Sequence, residues 1–150
     1  MTELEKLGAK VRGFEDLKDI LEEIELDSKI AIVDDIDCDG VMSAYIIKSA
    51  LEEKYNNIEV IINDRHGLVG KKELVKDHDL VIIVDSSSNL ADTYCDLNKV
   101  IIIDHHIYDK DIDIPDNVLL LNCKDSDKLS NLSAGMFCYL LMEQWANDTG

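Results

Sequence analysis

Closely spaced aspartates mark the stretch of this sequence best suited to chemistry. An apolar run at residues 30–33 leads into Asp-Asp-Ile-Asp-Cys-Asp-Gly at residues 34–40. In an extended chain, alternate side chains point the same way, so we expect Asp35, Asp37 and Asp39 to converge. Converging carboxylates repel one another unless a cation lies between them, which favours metal binding. The alternative is an acidic turn in which Asp39 caps the following helix.

Two further apolar runs end in possible metal ligands. The run at 80–84 ends at Asp85, and the run at 100–103 ends in Asp-His-His at 104–106. A single acid after a strand more often caps a helix. An isolated pair of histidines is usually exposed on the surface and has no function. Three such clusters, each at the end of an apolar run, favour one shared site.

The mixture of ligand types indicates the metal and the reaction. Carboxylates with imidazoles and no thiolate suit Mn²⁺ or Mg²⁺. Of these two ions, manganese is the one that we expect. Asp85 can be reached from both flanking clusters and could bridge two ions, which in two-metal sites lie roughly 3.5 to 4 Å apart. Such a pair suits phosphoryl chemistry, because the ions activate water and stabilise the attacking and leaving oxygens.

Alternating strands and helices must position these clusters. Apolar runs without polar alternation predict buried parallel strands. The predicted strands cover residues 30–33, 58–62, 80–84, 100–103 and 118–121, and the predicted helices cover 14–26, 41–51, 71–75 and 129–145. Gly40 is expected to turn the chain into the second helix. The pattern predicts an α/β fold with an open, mostly parallel five-stranded sheet, helices on both faces and strand order 2-1-3-4-5.

Composition limits the classes of protein that fit. With 150 residues and 46% hydrophobic content, the chain suits one domain and leaves no room for a second. A net charge of −17 argues against a broad electrostatic surface for nucleic acid, so a polyanion would be held locally through metal. Four cysteines without C-x-x-C spacing indicate a reducing compartment. Without an apolar leader or long apolar run, we expect a cytoplasmic protein with no membrane segment.

The order of the motifs resembles the DHH phosphoesterase superfamily. Residues 35–40 look like its D-x-D-x-D-G first motif, Asp85 like its second, and 104–106 like its namesake third. Residues 63–70, Asn-Asp-Arg-His-Gly-Leu-Val-Gly, resemble the arginine and glycine segment of the RecJ branch of single-strand-specific exonucleases. The branch of manganese pyrophosphatases and oligonucleotide phosphatases carries a histidine before two aspartates, where this sequence has Asp35.

The resemblance implies a role for each residue. The implied metal ligands are Asp35, Asp37, Asp39, Asp85 and His105. In the catalytic centre, His106 would contact the scissile phosphate or support a metal ligand, and Asp104 would orient the imidazoles. Arg65, with His66 beside it, would bind a substrate phosphate, since guanidinium can hold phosphate with two hydrogen bonds.

The sequence also departs from the family pattern. Family members carry a further aspartate after the central helix, which completes the second metal site, and a smaller C-terminal domain that grips substrate. This sequence ends at Gly150, before either feature, so we expect a single DHH-type domain without the substrate-binding domain. Asp125 and Asp127 are candidates to replace the missing ligand.

Three functions follow from these expectations. The first is a manganese-dependent phosphodiesterase core acting on single-stranded nucleic acid or short oligonucleotides. The second is a binding module in a replication or repair complex, with such a protein as its partner. The third is hydrolysis of a small phosphate compound such as a nucleotide or pyrophosphate. The retained motifs favour chemistry, whereas the acidic charge favours the binding module.

Overall fold

Five short apolar strands form one parallel sheet in the computed structural model, which describes residues 1–34, 36–63 and 69–150. The strands are β1 (Ile30–Asp34), β2 (Ile58–Ile62), β3 (Leu80–Val84), β4 (Val100–Asp104) and β5 (Val118–Asn122). Their order is β2-β1-β3-β4-β5, and every neighbouring pair is parallel. The predicted α/β fold and strand order are confirmed.

Helical segments cover both faces of the sheet. The α-helices are α1 (Glu3–Leu7), α2 (Phe14–Glu23), α3 (Cys38–Leu51) and α4 (Ala134–Thr149). Among the described residues, 3₁₀ segments lie at Val69–Leu74, Ser88–Tyr94 and Cys123–Asp125. The predicted helical cover is therefore present, although the segment predicted at 71–75 is a 3₁₀ helix. The predicted final helix begins later, at α4, where the Ser133 hydroxyl accepts the Met136 N–H.

Alternate residues of each central strand enter two separate hydrophobic clusters. On β1, Ile30 and Ile32 pack with the α-helices, whereas Ala31 and Val33 pack on the opposite face. The second face is covered by residues such as Tyr94 of a 3₁₀ segment. Both faces of the central strands are buried, which explains why their sequences are continuously apolar.

The start of α3 differs from the sequence prediction. The helix begins at Cys38, and Asp37 is its N-cap, with Oδ1 accepting the Gly40 N–H at 2.8 Å. Asp39 therefore lies in the first helical turn, so the alternative in which Asp39 caps this helix is wrong. Gly40 lies inside the helix and does not form the turn. Strand alternation does not place Asp39 beside Asp37, because Asp39 lies in the helix that Asp37 caps, and Asp35 lies outside the described residues.

Parallel pairing brings the carboxyl ends of the strands to one edge of the sheet. Asp104 at the end of β4 pairs in register with Asn122 at the end of β5. On the other side of β4, Val84 pairs with Ile103, so Asp85 follows at the same edge. Ligands of open α/β sheets bind at this edge, and the polar residues of this chain gather there.

Within the described parts of the chain, no helix has the length and apolar character needed to cross a bilayer.

The first prediction compares one substitution at the centre and at the edge of the sheet. Ile82 on β3 is 2% exposed, whereas Ile62 on β2 is 62% exposed. Ile82→Ala should lower the free energy of unfolding by about 2 to 5 kcal/mol, because it leaves a cavity in the core. Ile62→Ala should cost less than about 1 kcal/mol. Urea titrations of both variants test this, and equal losses would contradict the assigned burial.

Candidate metal centre

Three potential metal ligands meet where β3 and β4 end. One ligand atom from each of Asp85, His105 and His106 lies within 4.8 Å of the others. The Asp85 side chain is 1% exposed, while His105 is a quarter exposed and His106 is largely exposed. The carboxylate of the cluster is thus buried, whereas the two imidazoles are more exposed.

Asp85 holds an unusual backbone and an unsatisfied side-chain atom. Its φ is +62°, a left-handed conformation that is costly for a residue with a Cβ. Its buried Oδ1 makes no hydrogen bond, although His105 Nε2 lies only 2.9 Å away. The two atoms are close without hydrogen-bond alignment, as two ligands of one cation would be. A divalent ion would satisfy this oxygen, so the residues present fit a metal.

The His105 ring is oriented by a backbone carbonyl. Its Nδ1 lies 3.2 Å from the Leu132 carbonyl oxygen, which can only accept a hydrogen bond. The Nδ1 atom is therefore the donor, and the Nε2 lone pair faces Asp85. The same Nε2 lies 3.5 Å from Asp39 Oδ2. A carbonyl that fixes the tautomer in this way is the usual support for a metal-binding histidine.

Asp39 connects the site to the N-terminus of α4. Its Oδ1 accepts the Gly135 N–H at 2.8 Å, and its Oδ2 accepts the Ala134 N–H at 3.0 Å. These amides would otherwise lack partners at the helix start, where negative charge is also favoured by the helix dipole. A Cβ on Gly135 would lie 3.2 Å from Asp39 Oδ1, so glycine permits the close approach.

Asp37 and Asp85 have opposite shifts in pKa. The hydrogen bond from the Gly40 amide lowers the pKa of Asp37, and contact with Asp85 and the nearby histidines adds to this. Burial raises the pKa of Asp85 to about 8, and interactions with Asp37, Asp39 and Asp104 contribute to the rise. With a pKa of about 8, the Asp85 carboxyl retains a proton near neutral pH when no cation is bound.

Asp104 is held by many donors and in turn holds His106. Its buried Oδ1 accepts His106 Nδ1 at 2.7 Å and the backbone N–H of His105 at 2.8 Å. Its Oδ2 accepts the Ser88 hydroxyl at 2.7 Å. The Asp104 carboxylate is thus saturated by protein donors, whereas the Asp85 carboxylate is not.

The structure brings most of the predicted site residues to this edge. They are Asp37, Asp39, Asp85, Asp104, His105 and His106. The predictions for Asp35, Arg65 and His66 concern positions outside the described residues.

The two candidates for a further metal ligand are Asp125 and Asp127. Asp125 accepts the Tyr108 hydroxyl at 2.8 Å and forms an ion pair with Lys110. Neither Asp125 nor Asp127 belongs to the ligand cluster found among the described residues. The Asp125 carboxylate already has partners of its own, so it is a poor replacement.

Sequence reasoning assigned no site role to two buried polar residues beside the cluster, Ser88 and Asn122. Ser88 contacts Asp104, and Asn122 contacts both Ser88 and the His106 carbonyl. The position of Asn122 at the end of the fifth apolar run was a usable signal, because the other strands end in site residues. Ser88 offered only its place in a polar stretch after Asp85.

A cleft of about 240 Å³ opens beside His106. Its lining includes Asp85, Ser88, Asn89, Asp104 and His106, and no Lys or Arg is among the described residues that line it. Pockets for drug-sized molecules hold roughly 300 to 1,000 Å³. The volume therefore suits a phosphate group more than a whole nucleotide.

The second prediction concerns pH. Because burial raises the pKa of Asp85 in the folded protein from its ordinary value of 3.8 to about 8, the folded protein binds an extra proton between about pH 4 and 8. This contribution to the free energy of unfolding is present below pH 4 and is lost as the pH rises through 8. In EDTA, the free energy of unfolding of Asp85→Asn should equal that of the wild type at pH 4. At pH 9 it should be higher by on the order of 3 kcal/mol.

Urea unfolding at the two pH values measures this difference. Asp104→Asn is the matched control. It replaces a carboxylate that is fully hydrogen-bonded, so it should lower the free energy of unfolding at both pH values. An Asp85→Asn protein less stable than wild type at pH 9 would show that the buried charge is compensated.

Comparison with known proteins identifies the family. The N-terminal domain of the DHH family matches residues 29–149, while no curated protein sequence matches the chain. RecJ in complex with Mn²⁺ from Thermus thermophilus is 20% identical, with a TM-score of 0.76, over 93% of this chain and 22% of that chain. Exonuclease RecJ bound to manganese is 20% identical, with a TM-score of 0.71, over 95% of this chain and 39% of that chain.

A third structure is more distant. An exopolyphosphatase-related protein from Bacteroides fragilis is 17% identical, with a TM-score of 0.50, over 73% of this chain and 39% of that chain. This chain therefore spans well under half the length of these three proteins, with which it shares the fold. The match to the family's N-terminal domain extends from before β1 into α4 and includes the whole metal centre, so the chain belongs to the DHH family.

Proposed function

We propose that this chain is a metal-dependent phosphodiesterase core of RecJ type, acting on single-stranded nucleic acid or short oligonucleotides. The observation that carries the proposal is the buried, unsatisfied Asp85 oxygen beside His105 Nε2. Membership of the DHH phosphoesterase superfamily supports the reaction class. The RecJ fold supports the choice of substrate class.

The proposed cofactor is Mn²⁺, or Mg²⁺ in its place, with two ions in a complete site. Asp37, Asp39, Asp85 and His105 would hold the metal together with Asp35, which lies outside the described residues. Each Asp39 oxygen accepts one amide hydrogen bond, and a carboxylate oxygen has a second lone pair for a cation. Bound metal would activate water and stabilise charge on the phosphate.

The remaining site residues would position the substrate. His106 donates from Nδ1 to Asp104, so its Nε2 is free to accept a proton or face a phosphate group. We propose His106 as a catalytic residue and Asp104 as the residue that orients it. Arg65 and His66 are proposed to bind substrate phosphate, and both lie outside the described residues.

Two other functions have specific support. The net charge of −17 and a cleft with no Lys or Arg among its described lining residues favour a small phosphate compound, as does similarity to an exopolyphosphatase-related protein. The same acidic charge favours a binding module whose partner is a replication or repair protein. We further propose a cytoplasmic location, which the four free cysteines support.

The third prediction concerns metal affinity. Mn²⁺ at 100 times its dissociation constant should raise the free energy of unfolding by roughly 2.7 kcal/mol, because only the folded state gathers the ligands. Asp85→Asn should lose more affinity than Asp104→Asn, for which a loss of about 10 to 100-fold is expected. Thermal melting and calorimetry measure both effects. An unchanged melting temperature in millimolar Mn²⁺ would exclude the metal centre.

The fourth prediction concerns substrate class. With Mn²⁺, the chain should release nucleotides slowly from single-stranded DNA or RNA, and Asp37→Ala should abolish this release. Double-stranded DNA and inorganic polyphosphate serve as comparison substrates under the same conditions. Lys76→Ala, which changes an exposed lysine paired with Glu73, is the matched control and should retain activity. Faster hydrolysis of polyphosphate than of any oligonucleotide would favour the small-phosphate function.

A further inference from the structure

A chain of buried hydrogen bonds runs from β5 to His106. The Asn122 side-chain amide donates to Ser88 Oγ at 3.0 Å, and Ser88 Oγ donates to Asp104 Oδ2 at 2.7 Å. Asp104 Oδ1 accepts His106 Nδ1 at 2.7 Å. Ser88, Asp104 and Asn122 are each at most 4% exposed, so water does not compete for these bonds.

The orientation of the Asn122 amide is fixed by two backbone groups. The Lys124 N–H can only donate, and it meets Asn122 Oδ1 at 2.9 Å. The His106 carbonyl can only accept, and it meets Asn122 Nδ2 at 2.9 Å. Exchanging the amide oxygen and nitrogen would break both bonds. The nitrogen therefore faces Ser88, and Asn122 must be the donor there.

The orientation of the Asn122 amide determines which group donates in each of the hydrogen bonds that follow. Ser88 Oγ accepts from Asn122, so its single hydrogen is available for Asp104. The Ser88 backbone N–H also donates to Asp104 Oδ2, at 3.3 Å. Asp104 accepts on both oxygens, and the backbone N–H groups of His105 and His106 add to the donors on Oδ1. With Asp104 as an acceptor, the His106 Nδ1 must carry the proton.

We propose that Ser88 and Asn122 are positioning residues that, through Asp104, hold His106 with its proton on Nδ1 and its Nε2 lone pair facing the metal centre. This role rests on the proposed function only for its effect on catalysis. Asn122 also holds the His106 backbone through its carbonyl, so one residue fixes both the tautomer and the position of the ring. Neither residue touches the reacting atoms in this role.

Nuclear magnetic resonance tests the tautomer without any need for activity. Long-range ¹⁵N–¹H spectra of the metal-free protein at alkaline pH should show the proton on Nδ1 of His106. Ser88→Ala should shift the His106 nitrogen resonances toward a mixture of tautomers, and Ser88→Thr should restore the wild-type pattern. In Asn122→Asp, the new carboxylate competes with Asp104 for the Ser88 hydroxyl, so a mixture is expected again.

Kinetics tests the consequence for catalysis. Ser88→Ala should lower kcat on single-stranded DNA by about 10 to 100-fold, with KM and Mn²⁺ affinity changed less than about threefold. Ser88→Thr should recover most of the rate. Ser130→Ala, in which the lost hydroxyl bonds only the Asp127 carbonyl, should behave as wild type in both assays.

The possible results separate the two proposals. An unchanged His106 tautomer in folded Ser88→Ala and Asn122→Asp would overturn the positioning role, whatever the activity. Altered tautomers in a chain that cleaves no phosphodiester would support the positioning role and count against the proposed function. If Ser88→Ala does not fold, the comparison of Asn122→Asp with wild type gives the same test.

Discussion

The site depends on the cost of burying the Asp85 carboxylate among other acids. Asp37, Asp39 and Asp104 all disfavour its charge, and its own Oδ1 lacks a hydrogen bond. Burying an uncompensated charge is costly, so proteins neutralise it, pair it or bind a cation. In this fold the parallel sheet holds the acids together despite their repulsion. The energy that opposes the metal-free arrangement is also what favours a divalent ion.

Backbone amides, and not basic side chains, hold the other acids in place. Asp37 accepts from the start of α3, Asp39 accepts from the start of α4, and Asp104 accepts from the amides of residues 88, 105 and 106. Helix N-termini and turns provide such donors at fixed positions. The arrangement explains how a chain with a net charge of −17 can gather carboxylates without a nearby Lys or Arg among the described contacts.

The sequence was sufficient to predict the sheet, because its three central strands are buried on both faces and read as uninterrupted apolar runs. It also predicted that Asp85 and residues 104–106 meet, since parallel strands share an edge. The hydrogen bonds from α4 to Asp39 could not be predicted, because the donors at 134 and 135 are distant in sequence. Ser88 was missed for the same reason. Its importance comes from a contact with another strand end, and its local sequence resembles an ordinary loop.

The two bonds from Asp39 to α4 have a consequence for the dynamics of the domain. The Leu132 carbonyl, just before α4, also binds His105, so three contacts attach the start of this helix to the site. A shift of α4 by an ångström or so would break them together. The first turn of α4 and the centre should therefore open as one cooperative unit. Binding of a ligand at the centre would then slow hydrogen exchange at the backbone amides of α4, including amides far from the cleft.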